Sequence, residues 1–411
     1  MNRSKAAGLI ESGENIIRND ASDVKRIVQP CFIPAFSMVY FSGKLNKVRC
    51  PMRKILLFLL LLFWGCSSRV FTIRDAVIQP KENSTETKQL IEEGIRLHDA
   101  GDYKAAIQKY DNAIRLNPDN PEAYYEKSYS YMQMRKYNNG LNAALKAAEF
   151  NSDLLFLTYI QIGSCLDYLK RRKEALAAYQ KAIDINPAHH LVYYNMAIVY
   201  LNLDEKMKAL DCLKHAVTLN PKHASSHYMM GIIYQNDNYR IPALLAYCRF
   251  LALEPSSSRT GQALNAMQNT LNSGVQKKDS KNINIFISPD SKSYDGNFAS
   301  AEIMLSFLSA AQIAEEDSVK QEPIEILVDE LSSLFQMLQV TSEKEAQTGF
   351  VWQYYAPYFI ELERQELVKP YVYYICQMAD DPKIQEWIKT NGAEIERYKL
   401  WSDFYEFAKS L

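Results

Sequence analysis

Five copies of one 34-residue pattern run head to tail from Thr87 to Ser257, and a period of that length leaves a chain few folds to choose from. The copies fall at 87–120, 121–154, 156–189, 190–223 and 224–257, with Leu155 standing between the second and third. Position 8 of each copy is small: Gly94, Ser128, Gly163, Ala197 and Gly231. Position 20 is small again: Ala106, Gly140, Ala175, Ala209 and Ala243. Position 24 holds Tyr110, Ala144, Tyr179, Leu213 and Tyr247, and a proline closes four of the five copies at Pro118, Pro187, Pro221 and Pro255. Small residues at positions 8 and 20 let two antiparallel helices approach, and bulky residues beside them fill the space. Proline cannot continue a helix interior and ends each unit. One helix pair cannot bury its apolar face alone, so the units must stack.

This pattern resembles the tetratricopeptide repeat (TPR) family. The resemblance implies an all-α helix-turn-helix solenoid over 87–257, of a kind that binds other proteins and rarely catalyses. The stretch Thr260–Leu271 is amphipathic and completes the array as a capping helix over 258–272. A linker at 273–296 and a C-terminal helical domain at 297–411 follow.

Ahead of the repeats, Met52-Arg53-Lys54 precedes ten apolar residues, Ile55–Trp64, and then Gly65-Cys66-Ser67-Ser68. A cationic start, a short apolar run and a small residue before a cysteine describe a secretory signal at 52–65. Ten helical residues cover ~15 Å, half of the ~30 Å hydrocarbon core, so this is no membrane span. The Gly-Cys ending resembles a bacterial lipobox, which implies cleavage before Cys66 and lipidation of that residue. Ser67-Ser68 after the cysteine resembles outer-membrane sorting, facing the periplasm. On this expectation 1–51 lies upstream of the true start or is disordered, and 66–86 is a polar tether.

Residues 1–65 carry ten Lys and Arg against four Asp and Glu, which leaves the rest with 37 basic and 44 acidic residues. A net charge near −7 argues against nucleic acid, which needs a basic face to neutralise phosphates.

The resemblance further implies that the first helices line a concave face through positions 2, 5, 9, 12 and 13. Mapped onto this chain, that face is an apolar, aromatic trough of Ile91, Tyr125, Tyr129, Ile160, Tyr194, Ile198, Tyr228 and Ile232, with Asn202 and Asn236 beside it. Tyrosine offers large contact area with a polar tip, and Asn can satisfy the backbone of an extended peptide. The carboxylate clamp of chaperone-binding TPR proteins resembles Lys at position 5 and Asn at position 9, and no repeat has either there. An apolar or aromatic peptide or a partner helix is the expected ligand.

No HExxH, GxSxG, phosphate loop or CxxC pair occurs, so no enzyme, cofactor or metal is expected. His223 and His227 have metal-ligand spacing, but repeat register accounts for His223 and for His189 one unit earlier. In the C-terminal region Gly274–Lys281 reads as polar linker and Ile283–Ser288 as a short extended segment. Helical spacing follows at 301–311, 324–338, 351–363, 368–378, 384–390 and 395–408, with Pro357 breaking the third. The aromatic segments 350–360 and 371–375 admit two readings, an ordinary helical core or a ligand pocket lined by Trp352, Tyr355, Tyr358 and Tyr374. The expected function is a lipid-anchored scaffold, similar to the TPR lipoproteins of Gram-negative envelopes. The alternative is a ligand-binding or catalytic C-terminal domain with the repeats as a targeting arm.

Overall fold

The structure, a computed structural model, describes residues 73, 75–277, 283–285, 292–293, 295–315, 322–344 and 347–407. The signal at 52–65, the lipidation residue Cys66 and the extension 1–51 lie outside the described residues. The chain is all-α in class and divides into two compact units, 1–178 and 179–411.

In the first unit the helices pair as the period requires: α1 (Thr85–Asp99) with α2 (Tyr103–Leu116), and α3 (Pro121–Gln133) with α4 (Tyr137–Ala147). Helix α5 (Leu155–Tyr168) follows, and the division between units falls inside α6 (Arg172–Ile185). Side chains fix the starts. Ser84 Oγ accepts from Thr87 N, Asp102 Oδ1 from Ala105 N, and Asn120 Oδ1 from Glu122 N, satisfying donors that a first turn leaves open.

The second unit continues with α7 (His190–Asn202) against α8 (Lys206–Leu219), α9 (Ala224–Asn236) against α10 (Arg240–Leu253), and α11 (Thr260–Leu271) on α10. Two short antiparallel hairpins come next. Strand β1 (Val275–Lys277) pairs with β2 (Ile283–Ile285), and β3 (Lys292–Ser293) pairs with β4 (Gly296–Asn297). Within the expected polar linker at 274–281, β1 supplies the partner that the extended segment at 283 needs. The remaining helices are α12 (Ala299–Glu315), α13 (Pro323–Lys344), α14 (Phe350–Tyr354), α15 (Ala356–Arg364), α16 (Val368–Ile375), α17 (Pro382–Thr390) and α18 (Gly392–Phe404). Pro357 does break its segment, and the gap between α14 and α15 falls at Tyr355.

Three regularities repeat from copy to copy. First, position 15 of every copy sits in the left-handed region: Gly101 at φ +82°, Arg135 at +58°, Lys170 at +61°, Asp204 at +61° and Asn238 at +58°. Glycine occupies it only once, so the turn between paired helices tolerates strain of ~1 kcal/mol or more at non-glycine residues. Second, the asparagine before the closing proline makes an Asx turn. Asn117, Asn186 and Asn220 each accept at Oδ1 from the backbone N two residues on, at 3.2, 3.2 and 3.1 Å. Third, positions 8 and 24 vary together. Gly94 and Gly231 have the rings of Tyr110 and Tyr247 lying against them, and both rings are fully buried. The fourth copy has Ala197 at position 8 and Leu213 at position 24, and the second has Ser128 and Ala144.

Part of the expected tether is bound. The Val77 and Ile78 amides donate to Glu149 O at 3.1 and 3.0 Å, Asn151 N donates to Ile78 O at 2.8 Å, and Asn117 Nδ2 donates to Lys81 O at 3.3 Å. The Asn117 side chain just after α2 and backbone groups just after α4 thus take up residues 77–81 of the expected tether.

Candidate partner-binding face

The predicted trough residues do not share one environment. In the first unit Ile91 is only 2% exposed and belongs to the core with Ala106 and Tyr110. Tyr129 is buried and stacks on the His98 ring at 4.6 Å, with His98 Nδ1 held 2.7 Å from Ser130 Oγ. Burial pushes the His98 pKa down and favours the neutral ring. Tyr125 on α3 and Ile160 on α5 stay half-buried and present surface.

In the second unit Tyr194 is 4% exposed and lies edge-on to His223, whose Nδ1 is 2.7 Å from Ser226 Oγ. Tyr228 is half-buried between Phe250, 4.8 Å away, and the Arg259 guanidinium. Arg259 is in turn held by Glu254 and by Ser225 Oγ at 3.1 Å. Ile198, Ile232 and Asn202 are half-buried and Asn236 is exposed. Ile91, Tyr129 and Tyr194 are thus buried within the array, whereas the other predicted trough residues keep open surface. Ile91 packs among its own helix pair, Tyr129 on His98 and Tyr194 on His223, a distinction that residue type does not reveal.

The sequence reading missed position 6. Glu126 on α3 is 4% exposed and Gln161 on α5 is 5% exposed, at the same register of consecutive first helices. Burial first, then the nearby charges of Glu122 and Asp99, push the Glu126 carboxyl up to about 8. Neither amide atom of Gln161 has a hydrogen-bond partner. A helical wheel places position 6 roughly 60° from position 9, and that arc was the available signal.

His98, His190, His223 and His227 serve internal bonds. His227 is fully buried, its Nε2 lies 3.0 Å from Pro221 O, and its Nδ1 lies 2.6 Å from Tyr355 Oη. A carbonyl only accepts, so Nε2 carries the proton and Nδ1 accepts from the tyrosine. Burial drives its pKa down to about 3. Among the described residues no group of three or more His, Cys, Asp or Glu is placed to hold a metal ion.

The C-terminal aromatics form a closed core. Tyr355 and Tyr358 are fully buried and Trp352 nearly so, its Nε1 donating to Asn297 O at 3.0 Å. Tyr354 Oη donates to Val217 O at 2.8 Å and Tyr371 Oη to Cys248 O at 3.0 Å, docking α14 and α16 onto the second helices of the last two copies. Arg249 is 1% exposed, with its guanidinium 4.8 Å from the rings of both Tyr358 and Phe407. Of the four proposed pocket residues only Tyr374 is partly exposed. The other three are buried, and their hydroxyl and indole groups bond inside the fold.

Profiles of the tetratricopeptide repeat match residues 94–134, 157–189 and 178–211. The chain carries tetratricopeptide repeats. Similar proteins include the small glutamine-rich tetratricopeptide repeat-containing protein 2 of Mycosarcoma maydis, 28% identical over 28% of this chain and 33% of the relative. Tetratricopeptide repeat protein 28 of Homo sapiens is 34% identical over 22% of this chain and 4% of its own length. This TPR chain thus spans a third or less of these relatives, and the likeness is confined to the repeats. A thermophilic TPR protein of Thermus thermophilus superposes with a TM-score of 0.39 at 21% identity, covering 44% of this chain and 99% of that one.

Proposed function

We propose that this TPR protein is a non-catalytic adaptor that holds protein or peptide partners against its first helices, and that it is lipid-anchored in a bacterial envelope. The observation that carries the binding role is the set of trough residues left partly open: Tyr125 and Ile160 in the first unit, and Ile198, Tyr228 and Ile232 with Asn202 and Asn236 in the second. Half-buried aromatic and aliphatic side chains beside amides suit a peptide with apolar side chains and an extended backbone. The anchor at Cys66, on the periplasmic face of the outer membrane, is supported by the Met52–Cys66 pattern alone.

A photo-crosslinking residue placed at Tyr125 or Ile232 tests the binding role. Specific crosslinks that vanish in an Ile198→Glu, Ile232→Glu variant with unchanged circular dichroism are expected. Crosslinks that persist unchanged in that variant would remove the second unit's face from the reading. The intact mass of membrane-extracted protein tests the anchor. A mature N-terminus at acylated Cys66, lost in Cys66→Ala, is expected, and an unmodified soluble product would overturn it.

A further inference from the structure

Helix α12 is turned inside out. Its inward arc is polar: Glu302, Ser306 and Ser309 are 4%, 1% and 1% exposed, with Leu305 between them. Arg240, buried at the start of α10, holds that arc. Its guanidinium donates to Ser306 Oγ at 2.8 Å, and its backbone amide bonds the Glu302 carboxylate. The same guanidinium donates to Thr270 O at 3.0 Å and to Leu271 O, so it clamps the end of α11 as well. The outward arc is apolar. Ile303, Met304 and Phe307 are 37%, 40% and 57% exposed, Ala311 is exposed and Leu308 is half-buried. Residues 303, 307 and 311 follow at four-residue steps, and 304 lies three before 307, so these side chains form one face. Neither Lys nor Arg occurs in α12, and apart from Glu315 its single charge, Glu302, is buried.

A helix on the surface of a globular domain shows the opposite pattern, with its apolar stripe on the core and its polar side in water. Polar side in and apolar side out suits lipid outside, where ionisable groups turn to the interior and pair there. The size of the face separates the occupants. Phe307 opens about 100 Å² of ring. The three large side chains together stay far below the ~800 Å² that each partner buries in a stable protein complex. The arc also offers no hydrogen-bonding side chain for the polar rim of such an interface. Lipid needs neither, because an apolar helix face sinks into the acyl boundary and its hold grows with apolar area alone. Among the described residues no helix is long and apolar enough to cross a membrane, so α12 would lie along the surface. We infer that Ile303, Met304 and Phe307 dip into a lipid surface and give the folded chain a second attachment beside Cys66. The inference takes its bilayer from the anchor reading and adds which part of the fold touches it. Because the arc is uncharged, zwitterionic lipid suffices and salt has no effect.

The test places a photo-crosslinking residue at Met304, at Phe307 or, as a control, at exposed Gln336 on α13, in the full chain reconstituted on phosphatidylcholine vesicles. Lipid adducts, read by mass, are expected at 304 and 307 about tenfold above those at 336, with no dependence on salt. Phe307→Glu, on an open side chain, should cut the adducts at 304 about tenfold with unchanged circular dichroism. A chain that is acylated and vesicle-bound but gives no excess adducts at 304 and 307 overturns the inference and leaves the anchor standing. Crosslinks there of doubled protein mass overturn it in favour of a second copy. Excess lipid adducts on a chain that carries no acyl group at Cys66 keep the inference and overturn the anchor. Neither acylation nor excess adducts overturns both.

Discussion

Gly231 and Tyr247 offer a test of the packing rule that links positions 8 and 24. A Cβ added at Gly231 would lie 2.6 Å from Tyr247 Cε1 and 2.7 Å from Cδ1, against the ~3.5–4.0 Å of ordinary carbon contacts. The ring cannot step aside, because it is fully buried and its hydroxyl donates to Gln235 Oε1 at 2.7 Å. Overpacking of this kind costs ~1–3 kcal/mol, and the better helix propensity of alanine returns ~1 kcal/mol. Gly231→Ala alone should therefore lose ~0–2 kcal/mol. Tyr247→Leu alone leaves a void and should lose ~2–4 kcal/mol. Combined, the two changes recreate the Ala197 and Leu213 pair of the fourth copy, both fully buried there. Once Tyr247→Leu is in place the clash is gone and only the propensity gain remains, so adding Gly231→Ala should stabilise by ~0.5–1 kcal/mol. The assay is thermal melting of the four proteins by circular dichroism, where ~1 kcal/mol moves Tm by ~2–4 °C for a unit of this size. A Gly231→Ala effect of the same sign and size in both backgrounds would refute the coupling.

Three further outcomes follow from the geometry. Glu126→Gln should raise Tm more at high pH than at low: the folded pKa is raised to about 8, so the wild-type contribution is intact below the ordinary carboxylate value and is lost as pH rises through about 8. Melting curves at pH 5, 7 and 8.5 with a constant gap between variant and wild type would count against a buried, unpaired carboxylate. His227 shifts the other way, to about 3, so its contribution is present above about 6.5 and lost as pH falls through about 3. His227→Gln should thus flatten the acid limb of a Tm–pH profile while lowering Tm at pH 7, where the bonds to Pro221 and Tyr355 are weakened. Gly101→Ala meets no atom within 4 Å yet sits at φ +82°, so it should cost ~1 kcal/mol through backbone alone, and Arg135→Gly at the equivalent turn should gain up to ~1 kcal/mol. Differential scanning calorimetry of the pair checks both signs.

The period made the helix pairs legible because packing constraints at positions 8, 20 and 24 recur at fixed spacing and leave few residue types. Pro357 and Asp381-Pro382 were equally clear, since a missing amide and a capping carboxylate act locally; Asp381 Oδ1 does accept from Lys383 N at 2.9 Å. The first strand at Val275–Lys277 was not legible, because three residues without alternation carry no period and depend on a partner further along the chain. The left-handed residue at position 15 escaped for a related reason: Arg135, Lys170 and Asp204 are not residues that announce a positive φ. At the candidate face, helix register located the right surface but not the depth of each side chain. Tyr129 and Tyr125 look alike in sequence, and only the His98 ring stacked on Tyr129 separates packing from presentation. Glu126 was passed over because an acidic residue on a helix is usually solvated, and its burial depends on how α1 and α2 sit against α3.

The partners at positions 8 and 24 lie sixteen residues apart inside a single copy. A glycine with its tyrosine, or an alanine with its leucine, therefore travels as one heritable parcel. Duplication or loss of a whole 34-residue segment keeps every such match intact, whereas recombination with a breakpoint between the two helices of a copy would pair a tyrosine with an alanine. An array built this way can lengthen or shorten by gene rearrangement without relearning its interior, and the crossovers that survive should fall in the Asn-Pro turns between copies.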